Sequence, residues 1–207
     1  MFRRCPGALP TTSCSGEGPL TQPGGHELAV RGYEVVTVGR TAGDLRFDVT
    51  DPAQVTALYG AVDRRRGRTD AVVSAAGDLP FRPLPEMTHE DYTAAFRGKV
   101  LSQINLVRQG IPHVTERGSF TMIAGTLSHD PVPRGSAGAM ANSAVEAFAR
   151  AAALEIAPQR INAVSPTIFP ETLAAYGPAF PGVPSVDVAD VVRAYVRSVE
   201  GAQTGQV

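Results

Sequence analysis

A single α/β domain built on a doubly wound parallel sheet is the fold this sequence predicts. Short β-branched runs alternate along the chain with segments of helical period, which implies crossover units between parallel strands. The runs end in small residues, as at Gly39 and Ala76-Gly77. With 207 residues, 43% of them hydrophobic, the chain can bury one sizeable core and is far from the composition of a disordered chain.

The elements follow in order. EVVTVG (34–39) is a buried strand closed by Gly39, and LRFDV (45–49) is a second one. Asp51-Pro52 then opens a helix, Asp51 as N-cap and Pro52 in the first turn, with Val55, Leu58, Tyr59 and Val62 at helical spacing. DAVVSAAG (70–77) is a strand ending in small residues, and Glu90 to Val114 reads mostly as one long helix. GSFTMIAG (118–125) is the next strand. Ala139 to Ala157 is an alanine-rich helix with Val145, Phe148, Ala149 and Ala152 on one face, stopped by Pro158. INAVSP (161–166), a helix from Asp187 to Val199, and TGQV (204–207) as the start of a final strand complete a Rossmann-type domain.

A formal net charge of −1 gives no electrostatic case for nucleic acid or an anionic membrane surface. No apolar run approaches the ~20 residues that span a bilayer. Cys5, Cys14 and the histidines at 26, 89, 113 and 129 have no ligand spacing, so no metal site is assigned. The expectation is a soluble, cytoplasmic protein that handles a small molecule, without nucleic-acid or membrane partners.

Residues 134–166, RGSAGAMANSAVEAFARAAALEIAPQRINAVSP, carry the AVEAF and INAVSP stretches, and the chain ends in VEGAQTGQV. Together these resemble the short-chain dehydrogenase/reductase family over residues 26–207. The resemblance implies a nicotinamide-dependent oxidoreductase acting on a carbonyl or alcohol, assembled as a homodimer or homotetramer through its two long helices.

The family's Tyr-x-x-x-Lys pair falls on Gly138 and Asn142. Glycine has no proton to give and asparagine no charge, so the site is atypical. The family's catalytic serine falls on Gly125, or on Thr126 with a slip of one; Thr126 either supplies a hydroxyl or only ends a strand. The family's active-site asparagine falls on Lys99, which either donates a proton directly, pairs with a substrate carboxylate, or is a surface lysine. Lys99, Thr126 and Asn142 are the candidate catalytic residues. Two non-catalytic readings stand beside this one: an NADP(H)-binding sensor or scaffold, and an impaired copy.

On the cofactor side, Arg40 and Thr41 follow the second family strand. An arginine there accommodates a 2′-phosphate, where an acid would bind a 2′-hydroxyl, so NADP(H) is expected over NAD(H). Solvated loop arginine is the bland alternative. Asp48-Val49 matches the family's adenine-contacting pair, and Asp48 also suits a turn before Asp51. Ala75, Ala76 and Gly77 stand in the family's Asn-Asn-Ala-Gly turn, and Pro166-Thr167 replaces its Pro-Gly beside the nicotinamide. Tyr176 lies in the segment resembling the family's mobile substrate loop.

Residues 1–25 fit this plan least. A Rossmann domain opens with a β-branched strand and a glycine-rich turn, but this stretch is rich in Pro, Gly, Ser, Thr and Cys. Counting back from Glu27 puts the turn near 15–21, where only Gly18 matches. The expectation is that residues 1–25 form a divergent or disordered segment, either a corrupted start or a genuine arm. The first strand and its turn would then be missing or degraded, and the strands either side of the gap unpaired.

Overall fold

The computed structural model describes residues 12–15, 21–77, 79–173 and 177–207, with the backbone alone at 12–15 and 21. Six strands form one sheet: β1 (Thr12–Ser15), β2 (Val38–Gly39), β3 (Leu45–Arg46), β4 (Thr69–Ser74), β5 (Val114–Ile123) and β6 (Arg160–Val164). Their order is β3-β2-β1-β4-β5-β6 and every pairing is parallel. This is the doubly wound order whose chain reversal lies between β1 and β4.

The expected gap at the head of the sheet is corrected. TSCS, with no β-branched run, takes the central position, Thr12 to Ser15 aligning with Ala71 to Ser74 and Ser15 also with Val38. Backbone groups of any sequence can complete a ladder, so a poor strand former still fills a place held open on both sides. The helix α1 (Thr21–Val30) follows directly and crosses the proposed boundary at residue 25. The turn between them, with Gly18, lies outside the described residues.

Helices cover both faces. On one, α1 and α6 (Val188–Glu200) bury Leu28, Val191 and Tyr195 against Ala71, Val73 and Ile123. On the other, α2 (Pro52–Arg66), the long helix after β4 and α5 (Ser136–Glu155) pack against Val72, Phe120 and Ile161. Asp51 caps α2, its carboxylate accepting the Ala53 N–H at 2.9 Å, and the buried residues of α2 are Val55, Leu58, Tyr59 and Val62.

The long helix is α3 (His89–Ala95), a π-helical stretch Phe96–Leu101, and α4 (Ser102–Gly110). It stops short of the expected Val114 because Pro112 has no N–H to continue the ladder, although Ile111 before it still keeps helical dihedrals; Val114 instead opens β5. The π-helical turn, a distortion often found at functional sites, carries Lys99 inward. TGQV forms no strand among the described residues, yet it runs beside β6: the Gly205 N–H donates to Ile161 O at 2.7 Å and the Ala163 N–H to Gln206 O at 2.9 Å.

Candidate active site

A cleft of about 710 Å³ opens at the carboxyl ends of β2, β3 and β4. Parallel strands bring their loops to that edge, and the reversal of strand order parts them into a crevice. Arg40, Asp48, Val49, Ala75, Ala76 and Gly77, the candidate cofactor residues, all line it. Thr41 is exposed and is not among the lining residues. Small residues the sequence reading did not single out, Ala94, Ala95 and Gly98, form the helical wall.

Asp48 shapes the turn before Asp51 and also lines the cleft. Its Oδ1 accepts from the Thr50 N–H at 2.9 Å and from the Thr50 hydroxyl at 2.7 Å, which shapes the turn, while the residue still faces the cleft. Burial pushes its carboxyl pKa up, but the Thr50 bonds and the Arg40 charge outweigh this and hold it below the ordinary value.

Lys99 is not a surface lysine. It is 7% exposed, and its Nζ donates to the Ala124 carbonyl at 2.9 Å. Its stem abuts Gly77: a β-carbon on that glycine would sit 2.9 Å from Lys99 Cγ. So Lys99 bridges the ends of β4 and β5 just behind the cleft wall. Burial pushes its pKa down to about 8. Gln103 fixes it from below, donating to Lys99 O at 2.8 Å and to Ile123 O at 3.0 Å and accepting the Ile123 N–H at 2.8 Å.

The positions where the resemblance placed a serine and a tyrosine are glycines closely approached by the ends of neighbouring side chains. A β-carbon on Gly125 would lie 2.8 Å from the Asn142 amide nitrogen, and one on Gly138 would lie 2.8 Å from Leu127 Cδ1. Asn142 is 2% exposed, and its Oδ1 has no hydrogen-bond partner; the buried Thr167 Oγ1 is likewise unpartnered. Buried polar atoms without partners are uncommon in folded proteins. Thr126 N donates to Pro166 O at 3.0 Å, and both residues line a second cavity of about 640 Å³ beside β6 and α6 rather than the first cleft.

Sequence reasoning missed Glu146, although it sits inside AVEAF. It is 2% exposed and ties the two walls behind Gly125 together: its Oε1 accepts from Ser128 Oγ at 2.7 Å and Ser165 Oγ at 2.6 Å, and its Oε2 pairs with His129 at 2.9 Å. Ser165 Oγ in turn accepts the Gly125 N–H at 3.1 Å. A glutamate four residues after Asn142, next to core Val145, was the available signal. At the outer rim, Phe81 stacks on Phe180 with centroids 6.1 Å apart, and the Arg134 guanidinium lies 5.5 Å over Phe81, joining the loop after β4 to the 168–185 segment. Tyr176 lies outside the described residues. No cluster of metal-ligating side chains occurs among the described residues.

Residues 27–196 match the family model described as enoyl-(acyl carrier protein) reductase. The chain belongs to the short-chain dehydrogenase/reductase family. It is 39% identical to the protein lin1944 of Listeria innocua, whose solved structure superposes with a TM-score of 0.90 over 96% of this chain and 98% of that one. A small-chain dehydrogenase solved in complex with NADPH shares the fold at a TM-score of 0.84 with 22% identity, covering 97% of this chain and 95% of its own. A short-chain dehydrogenase/reductase of Pestalotiopsis microspora is 30% identical over 136 residues, 64% of this chain and 51% of that protein. A hydroxynaphthalene reductase of Aspergillus fumigatus is 28% identical over 134 residues, 64% and 49% of the two chains. The chain thus spans about half the length of the curated relatives it matches.

Proposed function

We propose that this protein is an NADP(H)-dependent oxidoreductase that acts on a small carbonyl or alcohol, with Lys99 as proton donor in place of the missing tyrosine. The observation that carries the reading is Lys99 itself: a buried ammonium wedged between Gly77 and Ala124, beside a cleft of nucleotide dimensions.

The cleft fits the cofactor on its own chemistry. Arg40 offers a charge for a 2′-phosphate, Asp48 a carboxylate for an exocyclic amine, and Ala75 to Gly77 allow close backbone approach. The neighbour solved with NADPH supports the same choice. The cofactor, when bound, supplies the hydride. Lys99 supplies the proton, and a pKa of about 8 suits an acid working near neutrality. Asn142 orients without charge, and Thr126 offers a hydroxyl from the neighbouring wall.

A non-catalytic NADP(H) sensor is the second reading, favoured by Leu127 filling the space beside Gly138. Two measurements separate them. Arg40→Ala should weaken NADPH binding far more than NADH binding; equal losses overturn the cofactor assignment. NADPH consumption over a panel of ketones and aldehydes should be measurable and lost in Lys99→Met. Binding without any turnover favours the sensor. A soluble, cytoplasmic setting fits this chemistry, and among the described residues no helix is long and apolar enough to cross a membrane.

A further inference from the structure

Among the described residues the charge on Lys99 has no counterpart: its hydrogen-bond acceptor is the neutral Ala124 carbonyl, and no carboxylate pairs with it. The acids on neighbouring elements are committed elsewhere. Asp91 on α3 is held by Thr88 and faces Arg82 at 3.6 Å. Asp48 is held by Thr50. Glu146 on α5 is held by Ser128, Ser165 and His129. Gly138 has no side chain that could carry a negative charge. A buried cation left in this state is costly, and the cost rises if a second positive charge enters beside it.

A dinucleotide lying along the strand ends with its adenosine half at Arg40 and Asp48 brings its other half toward β4 and β5, where Lys99 sits. The nicotinamide ring is neutral when reduced and positive when oxidised. We propose that Lys99 makes this protein select its cofactor by redox state, accepting NADPH and disfavouring NADP⁺, so that the site is biased to the reductive direction. This rests on the NADP(H) reading above. At an effective dielectric of ~20, like charges several ångströms apart repel enough to change a binding constant roughly tenfold or more.

The test is a pair of titrations of the full chain, NADPH by fluorescence and NADP⁺ by calorimetry, repeated on Lys99→Met and Lys99→Arg. The wild type should bind NADPH roughly tenfold or more tighter than NADP⁺. Lys99→Met should lose most of that ratio by gaining NADP⁺ affinity, and Lys99→Arg should keep it. If Lys99→Met does not fold, Lys99→Gln, which removes the charge and keeps a polar end for the Ala124 carbonyl, takes its place with the same expected loss of the ratio. Equal affinities for the two forms in the wild type, or an unchanged ratio in Lys99→Met, overturn the proposal while leaving the cofactor assignment intact. Binding of neither form overturns both.

Discussion

The Cδ1 of Leu127 lies 2.8 Å from the point where a β-carbon on Gly138 would begin. The two residues come from different elements, the turn after β5 and the first turns of α5, and they fill one space between them. Rebuilding the family's acid therefore takes more than the acid. Gly138→Tyr with Asn142→Lys should raise carbonyl reduction little on its own and by ~10²-fold or more once Leu127→Ala opens the slot, since a positioned general acid is worth ~10²–10⁴. NADPH-linked assays of the double and triple variants check this; equal rates in both would show that Leu127 is no obstacle.

Stability should climb with pH through the window Lys99 controls. Burial lowers its pKa from 10.5 to about 8, so between these values the unfolded chain holds more protons than the folded one. Stability then rises with pH, at about 1.4 kcal/mol per unit at most. Buried Tyr59, whose phenol pKa burial raises, acts oppositely, and only above its unfolded value near 10. Urea unfolding across the range from about pH 7.5 to about 9.5 should show the climb in the wild type and a flatter profile in Lys99→Met.

Assembly is expected through the long helices. Phe96 and Leu101 on the helix after β4, and Met140 and Leu154 on α5, are large apolar side chains left exposed in the single chain. Exposed apolar surface of this kind marks interaction sites. Light scattering at micromolar concentration should give a dimer or tetramer, and a charge at Phe96 or Met140 should shift it toward monomer. A clean wild-type monomer counts against this.

The central strand, TSCS, has one β-branched residue in four. A strand buried in a parallel sheet is ordinarily rich in β-branched residues, and TSCS is not. Ser13→Val with Ser15→Val should raise the melting temperature by about 2–4 °C for each kcal/mol gained. A fall would show that strand propensity does not limit stability there.

Much of this was legible beforehand. Local rules sufficed for α2, where a cap, a proline and four spaced apolar residues foretold the boundary and the buried face. The lining of the cleft followed from strand ends, because a parallel sheet brings them to one edge whatever the sequence between. What escaped notice is what depends on distant partners. Nothing in TSCS announces a strand; β2 and β4 confer it. Lys99 read equally well as a surface or a site residue until the π-helical turn and Ala124 fixed its direction. The fit of Leu127 to Gly138, and of Asn142 to Gly125, joins residues 11 and 17 positions apart that no periodicity connects. Glu146 passed as one charge on an alanine-rich helix.

The closeness of Gly125 to the Asn142 amide couples the two positions. A side chain at 125 meets the amide nitrogen 2.8 Å from its first carbon, so the amide must turn aside before a serine fits. Turning it also moves the Asn142 Oδ1, which has no hydrogen-bond partner among the described residues. Substitutions at 125 and 142 therefore act on one shared space, and their effects do not add.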